Sequence, residues 1–306
     1  MQSIRSCGGL VLQISDNFSA FQQRDIVRRD GAGTAACIIQ SARLLCKRLA
    51  SPAPGVVFVQ KGQKIILDQG VDMKACAGDL VLIPEGATSD IINEPDGAGG
   101  YQALALQFAP DLIANLAVAE AKPVQEIKVL NGMPPAFEEA YGKAIEAIRS
   151  GPLLPDSIAA SRVNEILLWL GALGHRFAPI ANPGPIERLR RIINSDPAYS
   201  WRAPELAKTI GMSEASLRRK LAAAGTSFSE LLADIRMTTA LTLLQTTEKS
   251  VTQIALDVGY DSASRFTARF RARFDFAPSE IRGHQREVDR NGAKTDRNSA
   301  ALVPAE

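Results

Sequence analysis

Four arginines, Arg265, Arg269, Arg271 and Arg273, interleave with Phe266, Phe270 and Phe274 over ten residues near the C-terminal end of this 306-residue chain. The phenylalanines recur every four residues, which stacks them on one helix face, and the arginines fall mainly off that stripe. The expected element is a helix with a core face and a guanidinium face. Taken alone, such a helix reads as a solvated surface element whose arginines do nothing. Its surroundings change that reading, because Ile254-Ala-Leu-Asp-Val-Gly259 precedes it as a short apolar helix and a glycine turn.

A second copy of this unit lies upstream. Leu206-Ala-Lys-Thr-Ile-Gly211 is followed by Met212-Ser-Glu-Ala-Ser-Leu-Arg-Arg-Lys-Leu221, as Ile254 to Gly259 is followed by Tyr260 to Phe270. Ala207 and Ala255 are small enough for the two helices of each unit to cross closely, and Gly211 and Gly259 take the turn between them. Ser213 and Ser262 stand where a side chain can cap the second helix. Leu217 with Leu221 answers to Phe266 with Phe270, so the second copy has one extra residue in its turn. Each copy reads as a helix-turn-helix. The segment between them, Ser229 to Gln245, reads as one continuous helix, about 25 Å long at about 1.5 Å per residue. With the half-widths of the two units added, the second helices stand roughly 34 Å apart, about one turn of B-DNA, so both can enter successive major grooves.

The elements ahead of this pair have a different period. From about residue 6 to 108, short apolar segments (Leu10–Ile14, Ala36–Ile39, Gly55–Val59, Lys64–Leu67, Asp79–Ile83, Ala103–Phe108) are separated by Gly, Pro, Asp and Asn. Close spacing of this kind predicts an antiparallel barrel or jelly roll. Gly78-Asp-Leu-Val-Leu-Ile-Pro84 is a turn, a buried strand and a proline stop, and Gln60 to Lys64 is a tight connection between apolar strands. Together they resemble the small-molecule-sensing cupin-like barrel.

A barrel of that shape often holds a metal, which takes about three imidazoles and a carboxylate. The chain has two histidines, His175 and His284, both expected in helical segments outside the barrel. Metal-dependent and histidine-based acid–base or nucleophilic catalysis are therefore not expected. Cys7, Cys37, Cys46 and Cys76 form no Cys-x-x-Cys pair, which argues against a zinc knuckle or a disulfide framework and for buried or idle thiols. A catalytic barrel using Cys37 or Cys76 would need an accessible thiol of low pKa. No catalytic residue, metal or cofactor is assigned. The barrel is expected to hold a ligand without transforming it, with Arg43, Lys47, Phe58, Gln60 and Tyr101 as candidates by strand position.

After residue 108 helical spacing takes over, in Ala136–Arg149 and Asp156–Leu173, the second opening on an aspartate placed to cap it. Ile158, Val163, Ile166, Leu167, Leu170 and Leu173 make a wide apolar face beside Trp169. One side is expected to pack on the barrel and the rest, with Val163, Ile166, Leu167 and Leu170 as candidates, to meet another copy of the chain. Residues 179–185 hold three prolines and a glycine and mark an extended linker. The expected organisation is an effector-binding and dimerisation domain over 1–178 (barrel about 6–108, helices about 134–178), a linker over 179–185, an all-α domain over 186–287 and a disordered tail over 288–306. In fold class this is an α+β multidomain protein, a cupin-like antiparallel jelly roll with dimerisation helices followed by two helix-turn-helix units on a long helix. The start of the chain lacks a signal-peptide pattern and no apolar run of about 18 residues is present, so a cytoplasmic protein without a membrane partner is expected.

Residues from about 186 to 283 resemble the AraC/XylS family of bacterial transcription regulators. The likeness lies in Ser250-Val-Thr-Gln-Ile-Ala-Leu-Asp-Val-Gly-Tyr-Asp-Ser-Ala-Ser-Arg-Phe266, in Phe270-Arg-Ala-Arg-Phe-Asp-Phe-Ala-Pro278 and in Ser279-Glu-Ile-Arg282. The resemblance implies a homodimeric regulator that binds promoter DNA, usually activates by contacting RNA polymerase, and often answers to a small effector. It implies base-reading positions at Ala215, Arg218 and Arg219, and at Ala263, Ser264, Arg265, Thr267 and Ala268. Arg218 and Arg219 are then the stronger base readers, each able to grip guanine O6 and N7. Ala215 and Ala268 depart from the larger polar residues often found there and leave only contact with a thymine methyl. Arg202, Arg269, Arg271 and the helix N-termini capped by Ser213 and Ser262 fall where phosphates are held, while Lys220 and Arg273 are expected to be solvated. The alternative is a barrel that serves only as a dimerisation or protein-interaction platform.

Overall fold

The computed structural model describes residues 23–68, 70–116, 120–178 and 183–283. The strand expected at Leu10–Ile14, the tail, His284, Cys7 and most of the linker lie outside these residues. Among the described residues no helix is long and apolar enough to cross a membrane.

The N-terminal half is built of β1 (Asp25–Arg29), β2 (Gly33–Gln40), β3 (Leu44–Ala50), β4 (Gly55–Lys61), β5 (Gln63–Asp68), β6 (Val71–Cys76), β7 (Leu80–Ile83), β8 (Thr88–Glu94) and β9 (Tyr101–Phe108). Helix α1 (Pro110–Ala114), the short strands β10 (Lys122–Pro123) and β11 (Lys128–Leu130), helices α2 (Pro135–Arg149) and α3 (Asp156–Ala172), and β12 (His175–Arg176) follow. The strands form two main sheets, β1-β2-β9-β4-β7-β11 and β3-β8-β5-β6, and the short pair β10-β12, rather than the closed barrel that is one form of the expected jelly roll. Strand β4 is buried along almost its whole length because the larger sheet is covered on both faces. Val56 and Phe58 belong to the core under α2 and α3, and Val57 and Val59 to the core shared with the smaller sheet. Tyr141 anchors α2 by packing at a tilt against Phe58, ring centres 5.7 Å apart, and donating to the Leu104 carbonyl at 2.9 Å.

The Gly78-Asp79 turn forms as expected. Gly78 has φ +88°, and the Asp79 carboxylate accepts from the amides of Cys76 (2.8 Å) and Gly132 (2.9 Å), so one side chain fixes both the turn and the chain beyond β11. Of the strands up to Phe108, four escape the apolar-segment reading: β1, β3, β6 and β8. Each carries charged or polar residues on a face open to solvent, such as Lys47 and Arg48 in β3 or Asp72 and Lys74 in β6.

Three expectations in the helical segments are corrected. Asp156 does not cap α3: the carboxylate sits 2.7 Å from the buried guanidinium of Arg29, which also donates to the carbonyls of Ala147 and Leu154. Val163, Ile166, Leu167 and Leu170 are all sealed into the core under α3, so they are not open to a second copy. The large apolar side chains of α3 that remain exposed are Ile158 and Leu168. His175 lies in β12, paired with Lys122, not in a helix.

The C-terminal half is helical: α4 (Pro185–Ser195), α5 (Ala203–Thr209), α6 (Glu214–Ala223), α7 (Phe228–Thr246), α8 (Val251–Asp257) and α9 (Ala263–Phe274), then a one-turn helix at Pro278–Arg282. Pro185, the last residue of the expected linker, opens α4. Helix α7 begins with a full capping box, Ser227 accepting from the Glu230 amide and Glu230 from the Ser227 amide, and is about 28 Å long at about 1.5 Å per residue. Its N-terminal half, with Leu231 and Ile235, shares a core with α4, α5 and α6. Its C-terminal half shares another with α8 and α9, and that core takes in Cys46, Leu44 and Leu49 of β3. The sandwich and the second unit are thus packed together.

Candidate nucleic-acid interface

The two helix-turn-helix units have the same local construction. Gly211 (φ +75°) and Gly259 (φ +80°) supply the left-handed turn residue. The amide after each glycine closes the turn, Met212 onto the Ala207 carbonyl at 2.8 Å and Tyr260 onto the Ala255 carbonyl at 2.9 Å. Ser213 then accepts from the Ser216 amide to cap α6, and Ser262 from the Arg265 amide to cap α9. The extra residue of the second turn is Asp261, between Tyr260 and the Ser262 cap. Leu217 and Leu221 hold α6 inward and Phe266, Phe270 and Phe274 hold α9 inward; all five are buried.

What each second helix leaves outside follows from that pinning. On α6, Ala215, Arg218, Arg219 and Lys220 are exposed, and Arg219 donates to Ser216 Oγ at 3.3 Å. Among the described residues Arg218 has no hydrogen-bond or ionic partner, leaving its guanidinium fork open. On α9, Ser264, Arg265, Ala268, Arg269 and Arg271 are exposed, and Ser262, Ala263 and Thr267 are half-buried. Arg202, at the N-cap of α5, is exposed on the rim of a cleft of about 500 Å³ that also takes in Arg236, Tyr260 and Asp261.

Arg273 does not share this face, although the stripe pattern groups it with the other three and it was expected to be solvated. Its guanidinium reaches Asp234 of α7 at 2.6 Å and the backbone carbonyls of Lys47 (2.8 Å) and Arg48 (3.0 Å) on β3. It is a tether between α9 and the sandwich. Lys47 beside it pairs with Asp275 at 2.7 Å, and Arg24 and Glu248 (2.9 Å) and Arg191 and Glu85 (2.6 Å) make further bridges between the halves.

Arg236 has a positioning role that patterning alone does not reveal. From the middle of α7 it donates to the carbonyls of Pro197 (2.9 Å) and Tyr199 (3.0 Å) ahead of the first unit, and to Gly259 (3.2 Å) in the turn of the second. The guanidinium lies 5.9 Å from the Tyr260 ring centre. One side chain thereby brackets both units. In the sequence it stands out only as the one cationic residue of α7.

The candidate ligand residues of the sandwich separate into three places. Arg43 pairs with Glu94 (2.8 Å) at the surface and Lys47 with Asp275, so neither enters the sandwich; both are corrected. Phe58 faces α2 rather than the space between the sheets. Tyr101 lies in the inter-sheet core, and Gln60 is buried at the irregularity between Val59 and Lys61. Burial pushes the thiols of Cys37 and Cys46 up to about 11, the opposite of what a nucleophile needs. Cys76 is disulfide-bonded, which corrects its reading as a thiol.

Residues 206–284 match the family model of a helix-turn-helix domain. The HTH-type transcriptional regulator YdeO of Escherichia coli K12 is 34% identical over 116 residues, 38% of this chain and 46% of YdeO. The transcriptional regulator SirC of Salmonella typhimurium is 40% identical over 92 residues, 30% of this chain and 31% of SirC. The chain thus spans less than half the length of these relatives. Over most of its length it shares a fold with ToxT of Vibrio cholerae. An apo form superposes with a TM-score of 0.61 at 15% identity, over 83% of this chain and 97% of ToxT. A form bound to an unsaturated fatty acid gives 0.57 at 15%, over 80% and 92%.

Proposed function

We propose that this chain is a sequence-specific DNA-binding transcription regulator of the AraC/XylS type, which the helix-turn-helix match over residues 206–284 and the likeness to YdeO and SirC support. The observation that carries the proposal is the matched pair of units, with equal turn hydrogen bonds and serine caps on one connecting helix. Helices α6 and α9 enter successive major grooves on one face of the duplex, as the length of α7 permits. Arg218 and Arg219 read guanine edges. Arg202, Arg269, Arg271 and the capped N-termini of α6 and α9 hold phosphates and set the register, with Arg265, Ser264 and Thr267 at the base edges of the second half-site. The guanidinium groups make affinity fall steeply with salt, because each neutralised phosphate releases counterions.

The regulator acts as a homodimeric activator that meets RNA polymerase at the promoter and answers to a small effector held in the sandwich. A ligand-bound neighbour of the same fold supports the last element: the ToxT structure with an unsaturated fatty acid. The domain order carries the same assignment, with the sandwich and α1 to α3 as the sensing and dimerising half and α4 to α9 as the DNA-binding half. Binding titrations with a duplex selected from a random pool test it. Specific binding of the full chain supports the proposal, and equal binding to selected and unselected duplexes refutes it.

A further inference from the structure

At the edge of the sandwich that packs against α7, a chain of buried polar side chains runs from the inter-sheet core to the DNA-binding half. Lys64 of β5 is 4% exposed, donates to Asn93 Oδ1 at 2.6 Å and stands 5.3 Å from the Tyr101 ring centre. Among the described residues no carboxylate pairs with it. Asn93 Nδ2 donates to Gln40 Oε1 at 3.2 Å, and Gln245 Nε2 of α7 donates to that same oxygen at 2.8 Å. Two further polar atoms, the Tyr101 hydroxyl and Gln60 Oε1, are buried with no hydrogen-bond partner. The surrounding wall is apolar, with Val57, Val59, Ile66 and Val81.

A buried ammonium with no counter-ion is costly, and so is a buried phenol with no acceptor. One occupant relieves both: an anionic oxygen pair that accepts from Lys64 Nζ and from the Tyr101 hydroxyl, on a body apolar enough to lie against valine and isoleucine. We infer that Lys64 and Tyr101 form the head-group site for a small monocarboxylate with an apolar body, and that the Asn93–Gln40–Gln245 chain reports occupancy to α7. The inference rests on the effector reading of the sandwich and names its ligand class and output. When the carboxylate draws Lys64 Nζ away from Asn93 towards the Tyr101 hydroxyl, Asn93 Oδ1 loses its partner and the amide reorients. Gln40 Oε1 then loses one of its two donors, and the seat of Gln245 changes. Because α7 carries both helix-turn-helix units, a change in how it docks on β2 and β3 changes how the two recognition helices are presented.

Isothermal titration of the full chain with decanoate and with 4-phenylbutyrate, and with decanol as uncharged control, tests this together with DNA affinity in each condition. At least one carboxylate is expected to bind and to change DNA affinity. Decanol, and the Lys64→Met and Tyr101→Phe variants, are expected to show binding weaker by about tenfold or more, the loss of one charge-assisted contact. Gln245→Leu is expected to keep carboxylate binding and lose its effect on DNA affinity. Tyr101→Phe keeps the ring, so it remains a test if Lys64→Met fails to fold. Carboxylate binding unchanged in both site variants, or decanol binding as tightly, overturns the site. A Gln245→Leu protein still coupled to DNA overturns the relay. If neither carboxylate binds while a neutral metabolite does, this inference falls and the effector reading stands; if no metabolite in a broad panel binds, both fall.

Discussion

Replacing Lys64 by methionine removes a buried charge while keeping the length of the side chain. Burial with no ionic partner pushes the Lys64 ammonium from its ordinary value of 10.5 down to about 8. The folded pKa lies below the unfolded one, so between these values the unfolded chain holds the proton more tightly. The penalty is therefore fully present below about pH 8 and is relieved as pH rises towards 10.5, and stability gains with pH across that window. From pH 7 to 9.5 the relief is about 2 kcal/mol out of about 3 kcal/mol in all. The titratable neighbours do not interfere. Burial pushes Cys46 up to about 11 and Tyr101 well above its ordinary value, so both stay neutral across the window. The assay is urea unfolding of wild type and Lys64→Met followed by Trp169 fluorescence, in a Trp201→Phe background. Trp169 packs edge-on to Phe137 in the sandwich half, at 6.1 Å. The wild type should gain about 2 kcal/mol relative to the variant between pH 7 and 9.5. Parallel pH profiles, or a gain on the side of the variant, would refute an unpaired buried ammonium at Lys64.

Other expectations follow from single contacts. Arg218→Ala should weaken DNA binding by about 1–3 kcal/mol and relax the preference at one base pair; an equal loss on specific and random duplexes would show a phosphate contact instead. Gly259→Ala and Gly211→Ala impose similar backbone strain, of order 1 kcal/mol. A Cβ at Gly259 meets Arg236 Nη2 at 2.7 Å and the Ala198 carbonyl at 2.8 Å, while one at Gly211 meets nothing within 4 Å. Gly259→Ala should therefore lower the melting temperature clearly more, and equal losses would contradict the Arg236 bracket. With pKa values near 11, Cys37 and Cys46 should react with a thiol probe at pH 7.5 only as fast as the chain unfolds. Rapid labelling of the native protein would count against their burial.

The repeat was legible because each of its parts is local: a glycine with positive φ, a serine cap and an apolar pair four residues apart. The strands β4, β5, β7 and β9 were legible as apolar runs, whereas β3 and β6 expose charged residues and resemble loops. Along α3 the helix is plain, but the apolar arc is wide enough to leave open which side meets its own core, and burial of Val163, Ile166, Leu167 and Leu170 decides that only in three dimensions. The contacts that join the halves have no local signature. Gln40 and Gln245 are 205 residues apart, and the Arg273 tether spans 226 residues to the carbonyl of Lys47. A lysine in an apolar strand looks like an edge residue until both sheets are in place, which is why Lys64 escaped notice while Tyr101 and Gln60 were named.

The central claim is that two units on one helix read DNA together. Selection of bound duplexes from a random pool by the full chain, followed by footprinting of the winners, tests it most directly. The account predicts two short conserved blocks with centres about one helical turn apart, protected on the same face. In Arg218→Ala, sequence preference should be lost in one block and kept in the other. A single protected block, or enrichment no better than for an unrelated basic protein, would contradict it.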